Sequence, residues 1–133
     1  MSKLITFLYL DRALEAIEYY KEVFGATVLG DITMLENIPG NERFVGKVGH
    51  CSLMLDDTVI FIGDTLEDYA LAKGDDKQLV FDLGSEERLH RVFDTLAKDG
   101  EVKSKLQEVF WGALFGSVKD KYGVTWQIYY GHK

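Results

Sequence analysis

The 133-residue chain is expected to fold as an α+β protein of two βαβββ modules. The modules should form a curved mixed sheet with a central cleft, with helices on the outer faces. Three observations lead there. Apolar residues recur at helical spacing twice, at Ala13, Ala16, Ile17 and Tyr20 and again at Leu89, Val92, Phe93 and Leu96, with the same offsets. One strand signal precedes each helix and three follow it. A polar, acidic stretch over about 65–77 separates the two series, which makes module one about 1–64, a linker, and module two about 78–133. Such an internal repeat decides the fold class, because one module alone leaves a sheet face uncovered.

The elements follow in order. Leu4 to Leu10 is rich in β-branched and aromatic residues and reads as a strand. Asp11 offers an N-cap for a helix over 12–24, and Gly25 sits where a left-handed C-cap belongs. A strand over Ala26 to Thr33 comes next. LENIPGNER, residues 35–43, holds the single proline and reads as a polar excursion with a turn at Pro39-Gly40. Strands are expected at Phe44 to Leu55 and Thr58 to Ile62, joined by a tight turn at Asp56-Asp57. After the linker, with one helical turn expected around Tyr69 to Lys73, Gln78 to Leu83 is a strand. Ser85 is a plausible N-cap for a helix over 86–98, and Glu86 and Glu87 suit the positive end of its dipole. Asp99-Gly100 should end that helix. Strands at Glu101 to Lys105, Ala113 to Lys119 and Val124 to Tyr130 complete the chain, with Asp120 to Gly123 as the last turn.

Composition narrows the function classes. The hydrophobic share of 47% can supply a core burying roughly two-thirds of the unfolded surface. The net charge of -7 repels phosphate backbones and anionic membranes, so neither nucleic acid nor a membrane is an expected partner. The apolar runs are too short to span a bilayer, and MSKLITF lacks the features of a signal peptide. Cys51 is the single cysteine, so no intrachain disulfide can form and a reducing cytoplasm is the expected location.

Three segments carry a family resemblance: YLDRALEAIEYYKEVFGA, GHCSLMLDDTVIFIGD and FWGALFGSVKDKYGVTWQI. In order and spacing they resemble the PhnB-like branch of the vicinal-oxygen-chelate class, the glyoxalase, bleomycin-resistance and dioxygenase proteins. The third segment is similar to that branch's closing signature. Some members carry a methyltransferase label. This chain has no glycine-rich loop after its first strand and no acidic residue placed for a nucleoside cofactor. The resemblance implies a homodimer, in keeping with the prevalence of closed two-fold assemblies.

Metal-using members of the wider class draw ligands from the first and last strand of each module. Carried over, those positions are Ile5, about Ile62, Gln78 and Gln127. Two aliphatic side chains and two neutral amides make a poor site for a divalent ion, so no metal or other cofactor is expected. If one were held, Gln78, Gln127 and His50 would hold it.

The remaining candidates come from strand alternation. Val48, His50, Ser52 and Met54 share a face. His50 is either a structural histidine near the cleft or a residue that binds ligand or shuttles a proton. Asp82 shares a face with Gln78 and Val80 and is either a half-buried acid or a surface carboxylate. Phe7, Tyr9, Thr125 and Tyr129 line the cleft or merely pack the core. Trp111 and Trp126 can fill a core or wall a pocket. Cys51 reads as a small buried hydrophobe, His90 as solvent-facing and His132 as a terminal residue.

The expected function is the binding of an unidentified small molecule in an aromatic-lined cleft. His50, Gln78, Asp82, Trp111, Gln127, Tyr129, Phe7 and Tyr9 would contact it. The alternative is a metal-dependent lyase, isomerase or dioxygenase, and catalysis is left open. A third is an interaction module that pairs through its exposed sheet.

Overall fold

The computed structural model describes residues 2–66, 74, 76–109 and 112–131. The elements are β1 (Phe7–Leu10), α1 (Ala13–Phe24), β2 (Thr27–Met34), a 3₁₀ turn (Leu35–Asn37), β3 (Val48–Leu55) and β4 (Thr58–Asp64). Then come β5 (Leu79–Asp82), α2 (Glu86–Asp99), β6 (Glu101–Glu108), β7 (Leu114–Lys119) and β8 (Thr125–Tyr130). The chain divides into two compact units, Met1–Leu71 and Ala72–Lys133, with the boundary inside the expected linker. The helical turn expected around Tyr69 to Lys73 lies outside the described residues.

Each unit is a βαβββ module with its own four-stranded mixed sheet. The strand order is β1-β4-β3-β2 in one and β5-β8-β7-β6 in the other. In both, the first strand pairs parallel with the last and the remaining pairs are antiparallel. The parallel pair follows from the helix, which carries the chain back across one sheet face before the next strand begins. In module one, Ala16, Ile17 and Tyr20 on α1 are fully buried, as are Cys51, Leu53 and Ile62 of the sheet. In module two, Leu89, Val92 and Leu96 are fully buried, as are Val118 and Ile128. Burying each large apolar side chain contributes about 1.5–3 kcal/mol.

The helix starts differ instructively. Ser85 caps α2 as expected, its Oγ accepting the Arg88 N–H at 3.1 Å. Asp11 is not the N-cap residue of α1. Arg12 takes the N-cap position without a side-chain cap bond, and the Ala13 N–H instead donates to Asp64 Oδ1 at 2.9 Å, from the end of β4. A local spacing rule does not reveal an acceptor 51 residues away. Gly25 closes α1 in the left-handed region, at φ 70° and ψ 27°.

Three strands begin or end three or more residues away from expectation. β1 starts at Phe7, and Leu4 is fully exposed. β3 starts at Val48, not Phe44, because consecutive turn bonds bring Phe44 N–H to the Asn41 carbonyl and Lys47 N–H to the Phe44 carbonyl. β6 runs on to Glu108. The hairpin at Asp56-Asp57 is as expected, with Asp56 at φ 56° and Leu55 facing Thr58.

The closing turn of module two is built on Asp120. Its Oδ1 accepts the N–H groups of Tyr122 and Val124 at 2.9 and 3.0 Å, and its Oδ2 accepts Trp126 Nε1–H at 2.8 Å. The Trp126 indole is therefore a satisfied core residue. No helix among the described residues is long and apolar enough to cross a membrane.

Candidate functional site

Alternation along β3 sends Cys51, Leu53 and Leu55 to the buried face, while His50, Ser52 and Met54 lie half-buried on the other. The antiparallel register pairs Ser52 with Phe61 and Cys51 with Ile62, and the parallel register pairs Phe7 with Phe61. Four rings consequently gather on this second face. Phe7 stacks on Tyr9 with centroids 4.3 Å apart and planes 10° from parallel. The His50 imidazole stands edge-on to Phe61 at 4.4 Å and to Phe7 at 6.1 Å, and Phe7 meets Phe61 at 5.9 Å. Edge-to-face geometry of this kind is one of the two arrangements that aromatic quadrupoles favour. Gly63 leaves room for the cluster: a Cβ there would lie 3.0 Å from the Gly49 carbonyl oxygen and 3.2 Å from the Phe7 ring.

Beside the cluster, in the same module, lies a cavity of about 420 Å³. Tyr9, Leu35, Val48, Gly49, Asp64, Thr65 and Leu66 line it. Tyr9 thus belongs to both features. Asp64 is nearly buried, and its two carboxylate oxygens accept Ala13 N–H at 2.9 Å and Val48 N–H at 2.7 Å. Those bonds tie the starts of α1 and β3 to the end of β4, so Asp64 shapes the cavity wall.

Module two brings its own expected residues together. Val80 pairs with Gln127 and Asp82 with Tyr129 across the parallel ladder. Gln127 Nε2–H donates to Gln78 Oε1 at 2.8 Å. Val80 is 61% exposed on the same face. Asp82 is the surface carboxylate of the two readings. It is exposed, and its Oδ1 accepts the Gly84 N–H at 3.1 Å. Thr125 is buried and Tyr129 half-buried. Trp111 and His132 lie outside the described residues. His90 is exposed on α2, 3.7 Å from Glu86. Cys51 is fully buried, and burial pushes its thiol pKa up against the opposing pull of Lys21, which fits an inert core thiol.

One inherited position needs correction. Ile62 is fully buried on the core face, and the residue of β4 that shares the open face with Phe7 is Phe61. Neither carries a lone pair, and neither does Ile5. Gln78 and Gln127 supply neutral amides, with the Gln78 oxygen already accepting from Gln127. This donor set does not suit a divalent cation, which favours several hard or borderline ligands. Among the described residues no three His, Cys, Asp or Glu side chains converge in a group able to hold a metal ion.

Phe61, Leu35, Asp64, Thr65 and Leu66 were not among the expected site residues. For Phe61 the signal was present. A two-residue turn at Asp56-Asp57 sets Cys51 opposite Ile62, and Cys51 reads as buried, so Phe61 must face the other way.

Two repeated βαβββ modules define a fold, and the solved structures that share it say which. The chain superposes on a glyoxalase/bleomycin resistance protein/dioxygenase family enzyme from Burkholderia phytofirmans with a TM-score of 0.69 at 12% identity, covering 96% of this chain and 97% of that one. Protein PA1353 from Pseudomonas aeruginosa gives a TM-score of 0.89 at 22% identity, with 100% of both chains covered. The chain thus shares the fold of that glyoxalase/bleomycin resistance protein/dioxygenase family enzyme. A PhnB protein from Bacillus cereus gives a TM-score of 0.78 at 29% identity over 96% of this chain and 98% of that one. Protein YjdN of Escherichia coli K12 is 31% identical over 125 residues, 86% of this chain and 84% of that protein. The family model described as 3-demethylubiquinone-9 3-methyltransferase matches residues 2–129. The chain belongs to this PhnB-like family.

Proposed function

We propose that the protein binds a small organic molecule in the cavity of module one and that no catalytic metal occupies the inherited positions. The observation that carries this is the cavity itself. Its volume of about 420 Å³ lies within the range of small-molecule sites. Tyr9, Leu35, Val48 and Leu66 supply apolar wall, while Asp64 and Thr65 are the polar residues of the lining. A mostly apolar wall with sparse polar groups is the usual make-up of such a site. The ring cluster of Phe7, His50 and Phe61 backs Tyr9, so that Tyr9 is held as a firm platform. The family's methyltransferase description finds no counterpart in these residues, which form no glycine-rich cradle for a nucleoside cofactor.

Phenylnaphthylamine, an uncharged dye that brightens in apolar surroundings, tests the reading. It should bind saturably with one equivalent per chain and shift the amide resonances of Val48, Gly49 and Leu66. Thr65→Trp, which places an indole in the cavity, should abolish binding while the circular dichroism spectrum is retained. Absence of saturable binding to the native chain, or dye-induced shifts confined to residues outside the cavity, refutes the proposal.

A further inference from the structure

We infer that the module-one cavity selects uncharged, planar aromatic molecules and discriminates against anions, an inference that rests on the binding role proposed above. Two observations carry it. The first is the platform. Tyr9 stacks on Phe7 at 4.3 Å, lines the cavity and remains 52% exposed. A flat aromatic ligand laid on Tyr9 continues a stack that already has two rings, and offset ring pairs add favourable energy beyond area burial.

The second is the charge of the lining. Among the described residues no Lys, Arg or His lines the cavity, and the single formal charge there is the Asp64 carboxylate. Arg12 and Lys47 instead line a separate, more open groove of about 270 Å³ that shares Asp64 with the cavity. Asp11 and Glu15 line that groove too, and the Arg12 guanidinium pairs with Glu15 at 2.8 Å. An anion entering the cavity would lose water, meet no cation among its described walls and face a like charge. Both Asp64 oxygens already accept backbone N–H groups, from Ala13 and Val48, so a cationic ligand would have to share them with those donors. Uncharged ligands avoid each of these penalties.

The test compares phenylnaphthylamine with anilinonaphthalene sulfonate, which has the same ring system with one added sulfonate. The uncharged dye should bind at least about tenfold more tightly at low salt, as expected for a like charge placed in a partly desolvated site. The gap should narrow as ionic strength rises from about 0.01 M to about 1 M, because the screening length falls from about 30 Å to about 3 Å. Equal or tighter binding of the sulfonate, competing with the uncharged dye for the cavity, overturns the selectivity while leaving the cavity as a binding site. Failure of both dyes to bind overturns the binding role itself. Where Thr65→Trp does not fold, the amide shifts of Val48, Gly49 and Leu66 identify the site for each dye in the native protein.

Discussion

Replacing Asp64 with alanine should destabilise the protein severely, although the residue sits at the end of a strand. Its carboxylate accepts two backbone N–H groups, Ala13 at 2.9 Å and Val48 at 2.7 Å, and it is only 6% exposed. Hydrogen bonds to a charged group contribute about 1.5–3 kcal/mol each, and a buried donor left unsatisfied costs about 1–3 kcal/mol. Two such bonds together give an expected loss of about 3–5 kcal/mol, a large share of the roughly 5–15 kcal/mol that holds a typical domain folded. For a chain of this length the matching fall in Tm is about 10–20 °C. Asp11→Ala is the internal control. Asp11 is the acid that local spacing nominates as the cap of α1, yet Arg12 holds the N-cap position and the Ala13 N–H donates to Asp64. Asp11 is exposed, so its removal should cost at most about 1 kcal/mol, the usual range for an exposed polar contact. Urea unfolding of both variants measures the difference, and hydrogen exchange at the Ala13 and Val48 amides localises it. If Asp11→Ala costs as much as Asp64→Ala, or if Asp64→Ala costs less than about 1 kcal/mol, the long-range cap is not what holds the start of α1.

Two further outcomes are expected. Burial raises the Cys51 pKa, so the folded state holds the thiol proton more tightly than the unfolded state does. The stability this contributes is complete below the unfolded thiol's pKa of about 8.5 and is lost as pH rises towards the folded value. Unfolding free energy should therefore fall more steeply between about pH 8 and 9.5 in the native protein than in Cys51→Ala; parallel profiles would contradict this. For the metal, elemental analysis of protein purified without added metal or metal-affinity resin should find no stoichiometric zinc, nickel, iron or manganese. Near one equivalent, lost in Gln127→Ala, would restore the metal-dependent enzyme as the better reading.

Much of this was legible in the residues themselves, for reasons tied to range. The buried faces of both helices, Ala13, Ala16, Ile17 and Tyr20 and then Leu89, Val92, Phe93 and Leu96, follow from a 3.6-residue period that the backbone imposes locally. The left-handed Gly25, the Ser85 cap and the Asp56-Asp57 turn likewise depend on a few neighbouring residues. With them came the repeat and hence the fold.

The tertiary structure decided what depends on contacts between distant segments. It assigned the start of α1 to Asp64 and not Asp11, since only the folded chain brings position 64 to position 13. It brought Phe61 against Phe7, because the parallel ladder between β1 and β4 sets that register across some fifty residues. It also hollowed the cavity from Tyr9, Leu35, Val48 and Thr65, four positions drawn from separate parts of module one. Alternation tells which residues share a face of one strand. Where the faces of different strands and loops leave space unfilled depends on packing, and no periodicity in the chain encodes that.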